Sequence, residues 1–159
     1  MRRRLAALAV LSAIAIAPNA QAATNDPVGD LVTSIISGAL PGSAVFNVKA
    51  TLYHAGAKGV GSLDSLGCRV VPMRTLAVDK TIIPRRTVVF IKETVGLKMP
   101  DGQTHDGYWY ASDIGGAIKG QRIDMYTGHN AASMKAMQKL NLGTLTAIKV
   151  GNFTGCPPK

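Results

Sequence analysis

From Val45 onward the chain is a succession of short β-branched and apolar runs broken by turn signals, and this confines it to a small sheet structure. Val45 to Tyr53 reads as a strand, with Val48, Ala50 and Leu52 alternating against Lys49 and Thr51. Gly56 to Gly67 is a glycine-rich loop. Val70 to Val78 and Thr87 to Lys92 are further strands, with Ile83-Pro84 turning between them. Pro100-Asp101-Gly102 is a turn, and Tyr108 to Ser112, Arg122 to Tyr126 and Thr144 to Val150 complete the set. One helix interrupts the series. Asn130 can cap it, Ala131 to Leu140 fill it, and Asn141 and Gly143 end it. The expected class is mainly β: a small barrel of about six strands with one or two short helices.

The residues ahead of Val45 follow other rules. Arg2, Arg3 and Arg4 precede the uncharged apolar run Leu5 to Ala17, and Ala20-Gln21-Ala22 is a small-x-small cleavage site. That order predicts a secretory signal peptide over 1–22, because the run is short of the roughly 20 apolar residues a membrane span needs. Residues 23–44 form an N-terminal segment. Within it Asp26-Pro27 starts a helix whose apolar positions Val28, Leu31, Val32, Ile35 and Ile36 share a face, expected over 27–37 outside the main domain. Residues 45–159 are the domain proper. Removing residues 1–22 leaves 137 residues with 15 cationic and 9 acidic side chains, a net charge of +6. A basic exported domain suits an anionic envelope partner or a membrane surface, and solubility alone would also account for the charge.

Cys68 and Cys156 are the only cysteines, and an even count in an exported chain predicts one disulfide. Such a bridge would tie Gly155-Cys156-Pro157-Pro158 back onto the domain. In the chain-entropy treatment so long a loop is worth about 4–5 kcal/mol.

Three aspartates carry the chemical interest. Asp113 follows a strand and precedes Gly115-Gly116; the chain then turns through Lys119-Gly120 into a strand bearing Asp124; Asp79 ends a strand before a loop. Carboxylates at neighbouring strand ends can share a site, where one acquires a raised pKa and serves as a general acid. Each could equally hydrogen-bond turn backbone. The glycines from Gly115 to Gly120 have phosphate-loop spacing, but Gln121-Arg122 stands where Lys-Ser/Thr is required, so no nucleotide site is expected.

The string Ala111-Ser112-Asp113-Ile114-Gly115-Gly116-Ala117-Ile118-Lys119-Gly120-Gln121-Arg122-Ile123-Asp124-Met125-Tyr126, with Val78-Asp79, Ile83-Pro84 and Thr87 before it, resembles the three-aspartate (3D) domain. It is also similar to the barrel domain of the membrane-bound lytic murein transglycosylase A family. The resemblance is strong from Cys68 to Ser133 and looser in the outer strands. It implies a double-psi β-barrel, with Asp79, Asp113 and Asp124 matching the name-giving aspartates and Asp124 matching the proposed catalytic acid. It implies a peptidoglycan-active, glycosidic-bond-cleaving protein of the periplasm or the outer-membrane-associated envelope, acting in wall turnover. A non-catalytic wall-binding or wall-loosening module, as in expansins, is the alternative. The residues ahead of the barrel are too few for the second large domain with which those transglycosylases complete their groove, so a shallower, more open cleft is expected.

Around the aspartates, Lys119 and Arg122 are candidates for binding muramyl-peptide carboxylates, with a solvated loop face as the alternative. Tyr108 and Tyr110 could stack on sugar faces, whereas Trp109 points the other way on an alternating strand and is balanced between core and site. His54, His105 and His129 show no metal spacing, and His105-Asp106 is expected to decorate a loop. No cofactor, metal or nucleic-acid partner is expected. The partner is peptidoglycan glycan, with peripheral membrane association as an option, and the oligomeric state is not legible.

Overall fold

The computed structural model describes Gly29, Val32 and residues 43–158. The signal peptide expected over 1–22 lies outside the described residues, as does most of the helix expected over 27–37. Of that helix Gly29 and Val32 are described, and both are helical.

Six strands close into a barrel: β1 (Val45–His54), β2 (Thr75–Val78), β3 (Thr87–Ile91), β4 (Tyr108–Asp113), β5 (Arg122–Gly128) and β6 (Thr144–Asn152). Their order around the wall is β1-β5-β2-β4-β3-β6. The β1–β5 and β2–β4 pairs are parallel and the other four are antiparallel. This mixed closed barrel is the class the sequence indicates and accords with a double-psi arrangement. Closure leaves no free sheet edge.

Alternation selects the inward face. Val48, Ala50, Leu76, Val78, Ile123 and Met125 point into one core with Val89, Ile91, Trp109, Ala111, Leu145 and Ala147. Trp109 is therefore a core residue, and its indole N–H donates to Thr94 Oγ1 at 3.0 Å. Thr94 closes a short 3₁₀ turn, Lys92–Thr94.

Three expectations are corrected in detail. The strand foreseen over Val70 to Val78 is only Thr75–Val78. Pro72 has no N–H to donate and Met73 adopts a left-handed φ of 54°, so the chain turns there before the sheet begins. The helix Ala131–Leu140 forms with its Asn130 cap, but as a 3₁₀ helix. Its apolar residues Met134, Met137 and Leu140 recur every three residues, the repeat that a 3₁₀ helix places on one edge, and Met137 is fully buried. His105 does not decorate a loop. It is buried against Trp109, ring centroids 5.0 Å apart, with Nδ1 accepting from Gly107 N–H and Nε2 donating to the Met73 carbonyl. Burial lowers its pKa, so it sits in the core as the neutral ring.

Cys68 and Cys156 form the expected disulfide, with Cα atoms 5.5 Å apart. The tail is held a second time where Arg86 donates to the Gly155 carbonyl. On the β3–β6 side, Val32 packs against Phe90 and Ile148.

Candidate functional site

The site lies on the outer face of the barrel wall. On β5, Ile123 and Met125 face the core, so Asp124 between them faces out; on β2, Leu76 and Val78 do the same for Ala77. The sheet register then sets up a row. Thr51 of β1 pairs with Asp124, Asp124 with Ala77, and Ala77 with Asp113 at the end of β4. A β-bulge between Leu76 and Ala77 brings Asp113 into this row. The two carboxylates thus flank one strand whose side chain at that level is a single methyl.

Opposite this row stands the loop between β1 and β2. Gly59, Val60, Gly61, Leu63 and Val70 form the far wall of a polar cleft of about 300 Å³ whose near wall carries Tyr53, Ala77, Asp113 and Asp124. Gly115 and Gly116 form its lip. A Cβ on Gly115 would stand 2.6 Å from Ile118 Cγ1, so a side chain there would force the lip open.

The carboxylates have unlike surroundings. Asp113 Oδ1 accepts the N–H groups of Ser65 (3.0 Å) and Ile114 (2.8 Å), and Oδ2 accepts the Tyr53 hydroxyl at 3.2 Å. Asp124 Oδ1 is buried and has no hydrogen-bond partner. Burial raises the pKa of both. For Asp113 the three donors oppose that rise and the Asp64 charge adds to it; for Asp124 the Thr51 side chain opposes it and the nearby Asp113 charge adds to it. Tyr53 is held far above its usual range, first by burial and then by the Asp113 charge, so it remains a donor.

Asp79 is placed apart from this cleft. Its Oδ1 accepts from the Thr81 N–H (3.0 Å) and hydroxyl (2.7 Å), and its Oδ2 accepts from Gly120 N–H at 2.8 Å. These bonds hold its pKa down at about 2 and tie the turn after β2 to the loop between β4 and β5. Gly120, at φ 64°, presents that N–H from a left-handed backbone.

The structure brings together Asp113 and Asp124 and leaves the other candidates outside the cleft. Lys119 is exposed and acts on Asp79 through its charge; Arg122, half-buried, lies near enough to Asp124 to oppose the rise in its pKa. Tyr108 packs against Phe90 and Tyr110 against Phe153, each edge-on at about 5.5 Å, so both rings are engaged away from the carboxylates. Sequence reasoning missed Tyr53, Ser65 and Asp64. Asp64 is buried, and its Oδ1 accepts from Leu66 and Cys68 N–H, a turn that aims Ser65 at Asp113. The glycine-rich loop was the available signal, since glycines flanking a strand end allow close backbone approach.

Residues 74–146, which include all three aspartates, match the family model of the 3D domain. No curated protein matches the sequence. Among solved structures the chain is similar to the lytic transglycosylase MltA of E. coli with bound chitohexaose, at 24% identity over 56% of this chain and 28% of that one, with a TM-score of 0.42. It is similar also to the lytic transglycosylase LtgG of Burkholderia pseudomallei, at 24% identity over 65% and 29% with a TM-score of 0.38. MltA of Neisseria gonorrhoeae is similar at 20% identity over 60% and 23%, TM-score 0.42. The chain thus spans less than a third of the length of these structures. The similarity to the 3D domain thus covers residues 74–146, a little under half of the chain.

Proposed function

We propose that this is an exported cell-envelope protein that cleaves the glycosidic bond between N-acetylmuramic acid and N-acetylglucosamine in peptidoglycan, in the manner of a lytic transglycosylase. The 3D-domain match and the paired carboxylates support the reading. The observation that carries it is the asymmetry of the pair: an unpartnered, buried oxygen on Asp124 beside an Asp113 whose two oxygens are both engaged. The basic n-region and small-residue cleavage site support export.

Each carboxylate has a role in this reading. Asp124, its acid form favoured by burial, donates its proton to the glycosidic oxygen as the bond to the muramyl C1 breaks. Asp113, held by three donors, keeps a negative charge near the oxocarbenium-like centre. The Asp124 carboxylate then removes the proton from the muramyl C6 hydroxyl, whose oxygen bonds to C1. A 1,6-anhydro end forms, no water is consumed, and Asp124 regains its proton. Asp79 braces the loop that carries the lip.

The test is Asp124→Asn, which keeps the shape but exchanges no acidic proton. Anhydromuropeptide release from sacculi, read by mass spectrometry, should fall by about 10²–10⁴-fold, with folding and sacculus binding retained. Wild-type protein that binds sacculi and releases nothing would replace this reading with the wall-binding module. Reducing-end sugars in place of anhydro ends would require a water-activating second carboxylate.

A further inference from the structure

Beyond the wall formed by Val70 the surface does not close. A depression of about 620 Å³ lies on the other side of Val70, floored by Val71, Pro72, Met99, Pro100 and Pro157. A second, of about 570 Å³, shares Pro72, Met99, Pro100 and His129 with it and runs on to Ala132 and Ala136. The two are one groove, mostly apolar, which has Val70 as a lining residue in common with the carboxylate cleft.

The rim of the groove is charged and unspent. Arg69, Lys98 and Lys135 line it, all exposed. Among the described residues the one ion pair between charged side chains is that of Asp106 with Arg74, so none of the three cations is neutralised. The Lys98 amino group reaches only the Thr104 hydroxyl, at 3.4 Å. One acid joins them: Asp101, whose Oδ1 accepts from Gln103 N–H and which has no cationic partner. A ligand complementary to this surface carries small apolar side chains, several carboxylates and one ammonium group.

Resting on the function proposed above, we propose that this groove binds the stem peptide of peptidoglycan and so directs the protein to glycan that still bears its peptides. The stem peptide has the required chemistry: alanine methyls for the apolar floor, glutamyl, diamino-acid and terminal carboxylates for Arg69, Lys98 and Lys135, and a free diamino-acid ammonium for Asp101. It is attached to the muramyl sugar whose bond breaks, so a groove that shares a wall with the cleft lies within its reach. The disulfide fixes one edge, because Cys156 and Pro157 line the groove beside Arg69. Burial of methyl and methylene groups on the apolar floor favours binding. The exposed cations add orientation that salt screens.

The experiment uses the full chain and the tetrapeptide L-Ala-γ-D-Glu-meso-diaminopimelyl-D-Ala, followed by amide chemical shifts and calorimetry. Shifts should map to residues 69–72, 98–101 and 129–136. The paired substitution Lys98→Glu with Lys135→Glu, at exposed positions, should weaken binding at least tenfold, and raising the salt should weaken wild-type binding. Shifts that map elsewhere, or affinity untouched by the charge reversal, would overturn the proposal. So would anionic phospholipid vesicles that bind through these lysines while the peptide does not, which would make the groove a lipid site. Release is then compared on peptide-bearing strands and on strands stripped by an amidase. Wild type should favour the former, and the paired variant should lose that preference. Absence of release from both substrates would refute the catalytic reading, while the peptide titration still decides the groove.

Discussion

Asp124 illustrates how a residue suited to chemistry costs the fold stability. Its oxygen is buried without a donor, and its pKa in the folded protein is raised, by burial first and then by Asp113. A carboxylate with a raised folded pKa favours folding below its unfolded pKa, near 3.9, and that contribution is lost as pH rises through the folded value. Above the unfolded value, keeping this carboxyl buried therefore works against the native state. Asp124→Asn should melt at a higher temperature than wild type at pH 7, and the two curves should converge as pH falls below about 4. Calorimetry across that range checks it, and a variant less stable than wild type at pH 7 would mean that Thr51, Arg122 and the Met125 N–H outweigh the burial of Asp124. Asp113 differs in degree: burial still raises its pKa, but Ser65, Ile114 and Tyr53 donate to its carboxylate and oppose part of that rise.

Among the elements, the loop between β4 and β5 depends on a contact from outside itself. Gly120 N–H is taken by Asp79, which also closes its own turn through Thr81. Since the folded pKa of Asp79 is lowered to about 2, its stabilising contribution is present above the unfolded pKa and is lost as pH falls through the folded one. Asp79→Ala should unfold at lower urea than wild type at pH 7, and the gap should narrow between about pH 4 and pH 2. Amide exchange should quicken at Gly115 to Gly120 in the variant, while β5 keeps its protection. Faster exchange throughout the barrel would instead make Asp79 a core determinant.

At the scale of the whole barrel, the described residues form a closed wall with the long loop between β1 and β2 folded over its outside, and the disulfide fastens that loop. Cys68 lies three residues beyond Ser65, and its own N–H is held by Asp64, so the bond to Cys156 anchors the segment that engages Asp113. A separation of 88 residues gives a chain-entropy stabilisation of about 4–5 kcal/mol. The double variant Cys68→Ser with Cys156→Ser should lose most of that in urea unfolding. It should also loosen the glycine-rich loop before the barrel melts, read as early exchange at residues 59–70. Equal stability of the oxidised wild type and the double variant would show that the tail bonds from Arg86 suffice.

The sequence by itself determined the strand set, the helix cap, the disulfide and the three aspartates among which the two cleft carboxylates fall. These depend on local chemistry: alternation that buries Val48, Ala50 and Leu76, an Asn130 side chain that accepts at a helix start, cysteines with only each other to pair with, and aspartates at strand ends. What the tertiary structure decided is which groups face which across the wall. Tyr53 and Ser65 reach Asp113 from 60 and 48 residues away, and no periodicity within either segment encodes that meeting. Tyr108 and Tyr110 alternate away from Trp109 as a strand requires, yet Phe90 and Phe153, brought in by other strands, occupy their faces. His105 looked like a loop residue because its burial is supplied by Trp109 and the Met73 carbonyl. The separation of Asp79 from the other two aspartates has the same origin: a strand end is a local property, whereas the neighbour across the loop is set by the closed register of six strands.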